Sequence, residues 1–133
     1  MLSAIPVASV QHAFLPVALR GASADGDLAR AGLLVDSLER CWRDAAPLRL
    51  VVVCPDEDLT AVSEQLKSTP RIDVAHYDEG AFLPPNSDFY RMPGWWKQQF
   101  LKLYVPSVLN LGAYITLDSD TVCCRPFTGT TFV

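Results

Sequence analysis

The segment from Leu48 to Cys54 most constrains what this chain can fold into. It is a β-branched, apolar run closed off by Pro47 and Pro55. A strand with one wet face alternates polar and apolar residues, whereas a near-continuous apolar run marks a strand covered on both faces, as at the centre of a parallel sheet. Parallel neighbours cannot be joined by a tight turn, so the flanking chain must supply crossover helices. Two are legible. Leu28, Leu34, Val35, Leu38 and Trp42 recur at spacings near 3.6, with Asp25 or Asp27 available as a cap and Pro47 preventing continuation. Asp56 to Ser68 repeats the pattern: Leu59, Val62 and Leu66 form its buried stripe, an acidic first turn favours the helix dipole, and Pro70 ends it.

The rest of the chain extends this alternation. Phe14 to Leu19 is a short apolar run ending at Arg20-Gly21 and reads as a first strand followed by a turn. Ile72 to Tyr77 alternates as a third strand. Asp78 to Gly94, with three prolines and two glycines, reads as a long loop. Trp95 to Asn110 returns to helical spacing, and Ala113 to Val122 is the last strand. The order predicts an α/β fold, a mostly parallel Rossmann-like sheet flanked by helices. With 133 residues, the whole chain 1–133 fits one domain. It is short for an enzyme that must hold two substrates, so half of a larger domain is a live expectation.

Composition excludes several classes. Half the residues are hydrophobic and 20% are charged, as in an ordinary globular protein. The net charge of -4 argues against nucleic acid as the main partner, because a duplex binder carries a basic stripe to displace counterions. No apolar stretch is long enough for a membrane span, and the N-terminus lacks a signal peptide's cationic start, so the default compartment is cytoplasmic. Cys41, Cys54, Cys123 and Cys124 form no CxxC pair, which leaves buried free thiols as the plain expectation.

Chemistry concentrates near the C-terminus, where Asp118-Ser119-Asp120 follows the apolar run Ala113 to Leu117. Residues two apart on a strand point to one side, so both carboxylates can converge on one hard cation at the edge where open α/β sheets bind ligands. Carboxylate oxygens suit Mg²⁺ or Mn²⁺, and such a cation bridging a diphosphate would offset its charge. A second constellation runs from Gly94 to Leu103. On a helix Trp95, Gln98 and Lys102 share one face, suited to a ligand, while Trp96, Phe100 and Leu103 share the neighbouring face, suited to packing. Pro106 should kink or end that helix, since it lacks an N–H and clashes with the carbonyl of Lys102. Third, Arg20-Gly21 combines a phosphate-binding fork with a residue that permits close approach. Neither GxGxxG nor a P-loop is present, and neither His12 nor His76 has neighbours completing a nucleophile and base.

Together these pieces resemble the A-type fold of nucleotide-sugar glycosyltransferases, and specifically an uncharacterised glycosyltransferase-like family with a Trp-Gln-Lys helix before an LDxDT strand. The matching residues are Val17 to Gly21, Ser37 to Arg40, Leu50 to Val53, Gly94 to Leu103 and Leu117 to Val122 with Arg125-Pro126-Phe127. The resemblance implies that Asp118 and Asp120 hold Mn²⁺ or Mg²⁺ against the diphosphate of a nucleotide-sugar donor. It implies further that Arg20 and Gly21 lie near the nucleotide, and that Trp95, Gln98, Gln99, Lys102 and Ser119 contact the donor. The acceptor is unspecified. Because that fold continues beyond its DxD strand, the resemblance implies the donor-binding half of such a transferase.

Two rival readings stand beside it. An apolar strand followed by DxDTV is similar to the nucleophile motif of haloacid-dehalogenase-like phosphatases, with Asp118 attacking phosphorus and Asp120 acting as acid or base. There the motif opens the catalytic domain, whereas here it closes the chain. The other is a truncated domain that binds a nucleotide, or another protein, without catalysis.

Overall fold

In a computed structural model, which describes residues 9–19 and 24–133, the described residues form four strands: β1 (His12–Pro16), β2 (Leu48–Cys54), β3 (Ile72–Asp78) and β4 (Tyr114–Thr116). They pair in the order β3-β2-β1-β4, every pairing parallel. The crossovers carry α1 (Ala24–Cys41), α2 (Leu59–Gln65) and α3 (Gly94–Val108). This is the flanked α/β sheet that the apolar run at 48–54 demands.

Strand alternation divides the interior into two cores. Ala13 and Leu15 of β1, with Leu48, Leu50 and Val52 of β2, face Leu34 and Leu38 of α1 and Val62 of α2. Phe14, Val51 and Val53 point the other way, onto Leu101 and Val105 of α3 and onto Leu83 and Phe89 of the loop before it. Each fully buried aliphatic of this kind contributes about 1.5–3 kcal/mol, and β2 supplies such residues to both faces. Its one polar member, Arg49, is exposed and pairs with Asp73 of β3 at 2.9 Å.

The placement of α3 opposite α1 and α2 follows from topology. Two crossovers step from β1 to β2 to β3, then the third returns past both to β4 on the far side of β1. Crossovers share one hand, so reversing direction moves the helix to the other face. The C-terminal ends of β1 and β4 therefore diverge beneath helices on opposite faces, which leaves a crevice between them.

Several expected boundaries shift. The acidic residues Asp25 and Asp27 lie inside the first turn of α1 instead of capping it. The helix expected at 56–68 is a 3-10 turn at Asp56–Asp58 followed by α2. The loop at 78–94 contains two 3-10 turns, and its Leu83 and Phe89 are buried in the second core. In α3 the buried face is Leu101, Val105 and Pro106; of the residues expected to pack, Phe100 does lie against the second core, beside Phe89, whereas Trp96 and Leu103 do not. Trp96 is 59% and Leu103 73% exposed, because the sheet meets the helix one position further round.

Pro106 does not end α3, which continues to Val108. It cannot donate to the carbonyl of Lys102, but the Tyr114 hydroxyl donates to that oxygen at 2.9 Å. A bond lost inside the helix is thus replaced by one that fastens the helix to β4. The helix ends in a Schellman arrangement: Asn110 N–H donates to the Ser107 carbonyl at 3.1 Å and Leu111 N–H to that of Pro106 at 3.0 Å, with Asn110 at φ 53°. Beyond β4 the chain returns to α1, where Cys123 N–H donates to Ser37 Oγ at 2.8 Å and Phe127 N–H to the Cys41 carbonyl at 2.9 Å. Gly129 then passes so close to β1 that an added Cβ would fall 2.3 Å from the Val10 carbonyl oxygen.

Tyr114→Phe leaves a part-buried carbonyl without its donor and should cost about 1 kcal/mol in urea denaturation. In a Pro106→Ala background, where a helical N–H serves that oxygen again, the same change should cost measurably less. Burial, and then the charge of Arg49, lower the pKa of His12. The unfolded chain therefore binds that proton at higher pH. His12's contribution to stability is complete above the ordinary histidine range and is lost as pH falls from there through the lowered value. Denaturation of His12→Gln across the mildly acidic range should show a flatter pH dependence than the parent.

Candidate active-site cleft

The last strand is shorter than its sequence pattern. Ladder pairing covers Tyr114–Thr116, and Leu117 N–H still donates to the Phe14 carbonyl at 2.8 Å. Thr121 then turns the chain: its N–H and its hydroxyl both donate to the Asp118 carbonyl, at 3.1 and 2.6 Å. Ser119 and Asp120 occupy a turn, and Thr121-Val122 does not continue the strand. Period-two alternation is consequently not what gathers the carboxylates. The turn gathers them. Asp118, Ser119 and Asp120 line one cleft of about 400 Å³, at the divergence of β1 and β4.

Two helices complete that cleft. From α3 come Trp95, Gln98 and Gln99, three of the residues expected there. From α1 come Asp27 and Arg30, which form an ion pair and which no sequence motif singles out. A signal for them exists: α1 is the helix that follows the first strand, and its first turns must abut the crevice in a doubly wound sheet. Arg20 and Gly21 lie outside the described residues.

Lys102, expected to contact the donor, is paired within the protein. Its Nζ donates to Asp118 Oδ1 at 2.6 Å, and its side chain is 12% exposed where that of Asp118 is 53% exposed. One residue therefore ties α3 both to β4, through its carbonyl to Tyr114, and to the turn after it, through its ammonium to Asp118. The desolvated ammonium offsets half the charge of the carboxylate pair.

A divalent cation needs more donors than these two carboxylates supply. Among the described residues no group of three or more His, Cys, Asp or Glu side chains could hold a metal ion. Mg²⁺ characteristically takes one or two carboxylates, several waters and the substrate's phosphates, in place of an all-protein cage. Asp118 and Asp120 fit that partial kind of site and fit a closed structural site poorly.

The C-terminal edge carries a second cleft, of about 450 Å³, at the ends of β2 and β3. Asp56, Glu57, Asp78 and Glu79 line it with Tyr90 and Lys97. Burial and then the charges of Asp58, Glu79, Asp78 and Asp56 push the Cys54 thiol up to about 12. A thiol so raised is no nucleophile. Tyr90 is raised by burial and by Glu79 and Asp78. Asp58 also ties this edge to β1, accepting the Leu19 N–H at 2.9 Å. A larger cavity, about 560 Å³ between α1, β4 and the returning segment, is lined mainly by apolar side chains such as Leu34, Leu38, Ile115 and Phe127. It lacks the convergent polar groups of the smaller cleft, although Asp118 borders both.

The fold and cleft define a class: a parallel α/β protein with a carboxylate-bearing cleft where its strand order reverses. The chain belongs to a family of unknown function (DUF6492), whose sequence pattern matches residues 8–133. Comparison with curated proteins yields no match. Among the described residues no helix is long and apolar enough to cross a membrane.

Alkylation with iodoacetamide, followed by peptide mass mapping, should modify exposed Cys124 well before buried Cys41 and Cys54. Cys54 should react only when the chain is unfolded.

Proposed function

We propose that this protein binds a nucleoside-diphosphate sugar through a divalent cation, Mn²⁺ or Mg²⁺, and is the donor-binding portion of a metal-dependent glycosyltransferase. The observation that carries this reading is that Asp118, Ser119 and Asp120 share one cleft with Trp95, Gln98 and Gln99 at the reversal of strand order. A site with two carboxylates and amide and aromatic neighbours suits a ligand that brings its own phosphate oxygens. Asp118 and Asp120 would hold the cation. When bound, that cation would offset charge developing on the leaving diphosphate.

The remaining work falls to the chain's own side chains. Gln98 and Gln99 donate and accept hydrogen bonds in the plane of their amides, which orients hydroxyl-rich ligands. Ser119, at the tip of the turn, adds a hydroxyl. Lys102 compensates Asp118 when no cation is present and stands ready as a phosphate partner when Asp118 turns to one. Lys97 is placed otherwise, over the rings of Phe89 at 5.1 Å and Tyr90 at 5.6 Å.

A second reading has one observation in its favour. A lysine against Asp118 would also neutralise a phosphoryl group attached to that carboxylate, as a phosphatase using Asp118 as nucleophile requires. Beryllofluoride separates the two, since it should bind to Asp118 of a phosphatase and leave a glycosyltransferase unmodified.

Calorimetry with a panel of nucleoside diphosphates should show binding that depends on Mn²⁺, while Mn²⁺ alone binds weakly because it lacks the phosphate ligands. Asp120→Asn should abolish the metal-dependent part; equal affinity with and without metal would overturn the mechanism. Lys102→Ala should weaken diphosphate binding by about tenfold, the scale of one lost charge-assisted hydrogen bond. Lys97→Ala should change it much less.

A further inference from the structure

Trp95 and Trp96 are 62% and 59% exposed, on a helix whose other side buries Leu101, Val105 and Pro106. Two adjacent indoles left in water forgo some of the largest burial any side chain can contribute. Their rings lie 4.9 Å apart at 80°, the edge of one set against the face of the other, so each gives the other a packing contact while both stay uncovered. Trp95 lines the cleft and Trp96 stands beside it, so the aromatic surface runs from inside the cleft to its outside.

The polar partners narrow what such a surface can receive. Gln98, Gln99, Ser119 and Asp120 present amides, a hydroxyl and a carboxylate to the same space as the Trp95 ring. The local charges are largely matched within the protein, Arg30 with Asp27 and Lys102 with Asp118. An acyl chain would leave the amides and hydroxyl without partners, which is costly once water is excluded. Once a cation and its diphosphate occupy the carboxylates, the charges left to the outer surface are the mutually paired Arg30 and Asp27, which do not favour a strongly charged second ligand. A pyranose satisfies both demands, since its axial C–H face lies flat on an indole while its equatorial hydroxyls reach planar hydrogen-bonding groups at the edge.

We propose that Trp95 and Trp96 form a saccharide platform and that the acceptor is itself a carbohydrate, laid across the cleft mouth with one ring on Trp96. The donor's own sugar, tethered to its diphosphate, occupies the inner part beside Asp118 and Asp120, so the outer ring belongs to a second molecule. Assignment of that molecule as acceptor rests on the donor-site reading above; the saccharide site itself does not.

The test is tryptophan fluorescence of the whole chain titrated with a panel of neutral hexose disaccharides and trisaccharides, without nucleotide or metal. Trp42 is buried, so the exposed pair dominates any saccharide response. Saturable binding should fall about tenfold in Trp96→Ala, as for loss of one stacked ring, and be largely kept in Trp96→Phe. Circular dichroism should show the variants folded, because neither ring is part of a core. Calorimetry of the Mn²⁺-dependent nucleoside diphosphate site should be unchanged in Trp96→Ala. Saccharide binding that depends on Trp96 without any nucleotide binding would keep the platform and remove only the donor reading. No saturable response to any saccharide in the panel, or affinity unchanged in both Trp95→Ala and Trp96→Ala, would overturn the proposal.

Discussion

The pairing of β1 with neighbours on both sides determines the position of everything chemical in this molecule. β2 lies on one side in register from His12↔Arg49 to Pro16↔Val53, and β4 on the other from His12↔Tyr114 to Phe14↔Thr116. Because β4 arrives from the opposite direction to β2, its crossover helix must cover the opposite face, and the crevice between the two helical layers opens where β1 and β4 part. Hydrophobic burial sustains the arrangement: Phe14 serves one core while Ala13 and Leu15 serve the other. The pairing stops early on the β4 side, and the turn that follows is what aims the acidic residues at the crevice.

Elements whose signal is local are legible from residue order. β2 stands out because a continuous apolar run of that length suits a strand covered on both faces and little else, and the bounds Pro47 and Pro55 agree with the strand's ends. α1 is similarly plain from its apolar period. The cleft is legible in large part too, since Trp95, Gln98, Gln99, Asp118, Ser119 and Asp120 all line it. A strand-end motif and a helix N-terminus are brought to the same edge by any right-handed parallel crossover.

What escapes the sequence depends on contacts that residue order does not display. Nothing near Thr121 shows that its hydroxyl will take the Asp118 carbonyl, so an apolar-then-acidic run reads as one long strand. The rotation of α3 about its axis is not fixed by composition, because both of its flanks carry aromatics. The sheet selects Leu101 and Val105, leaving the tryptophans outside. Asp27 and Arg30 look like ordinary solvated helix residues until topology carries their helix to the crevice.

Lys102 makes the state of the Asp118 carboxylate and the docking of α3 inseparable. Anything that draws Asp118 toward itself takes away the counter-charge of a nearly enclosed ammonium, and an unpaired charge in that position is unfavourable. The same residue's carbonyl is anchored to Tyr114, so its backbone cannot simply drift outward to rehydrate the side chain. By linkage, whatever steadies the helix against the strand must alter how readily the carboxylate is given up, and the reverse influence has equal size. A proline that interrupts one hydrogen bond within a helix thereby gives the protein a thermodynamic connection between its scaffold and its cleft.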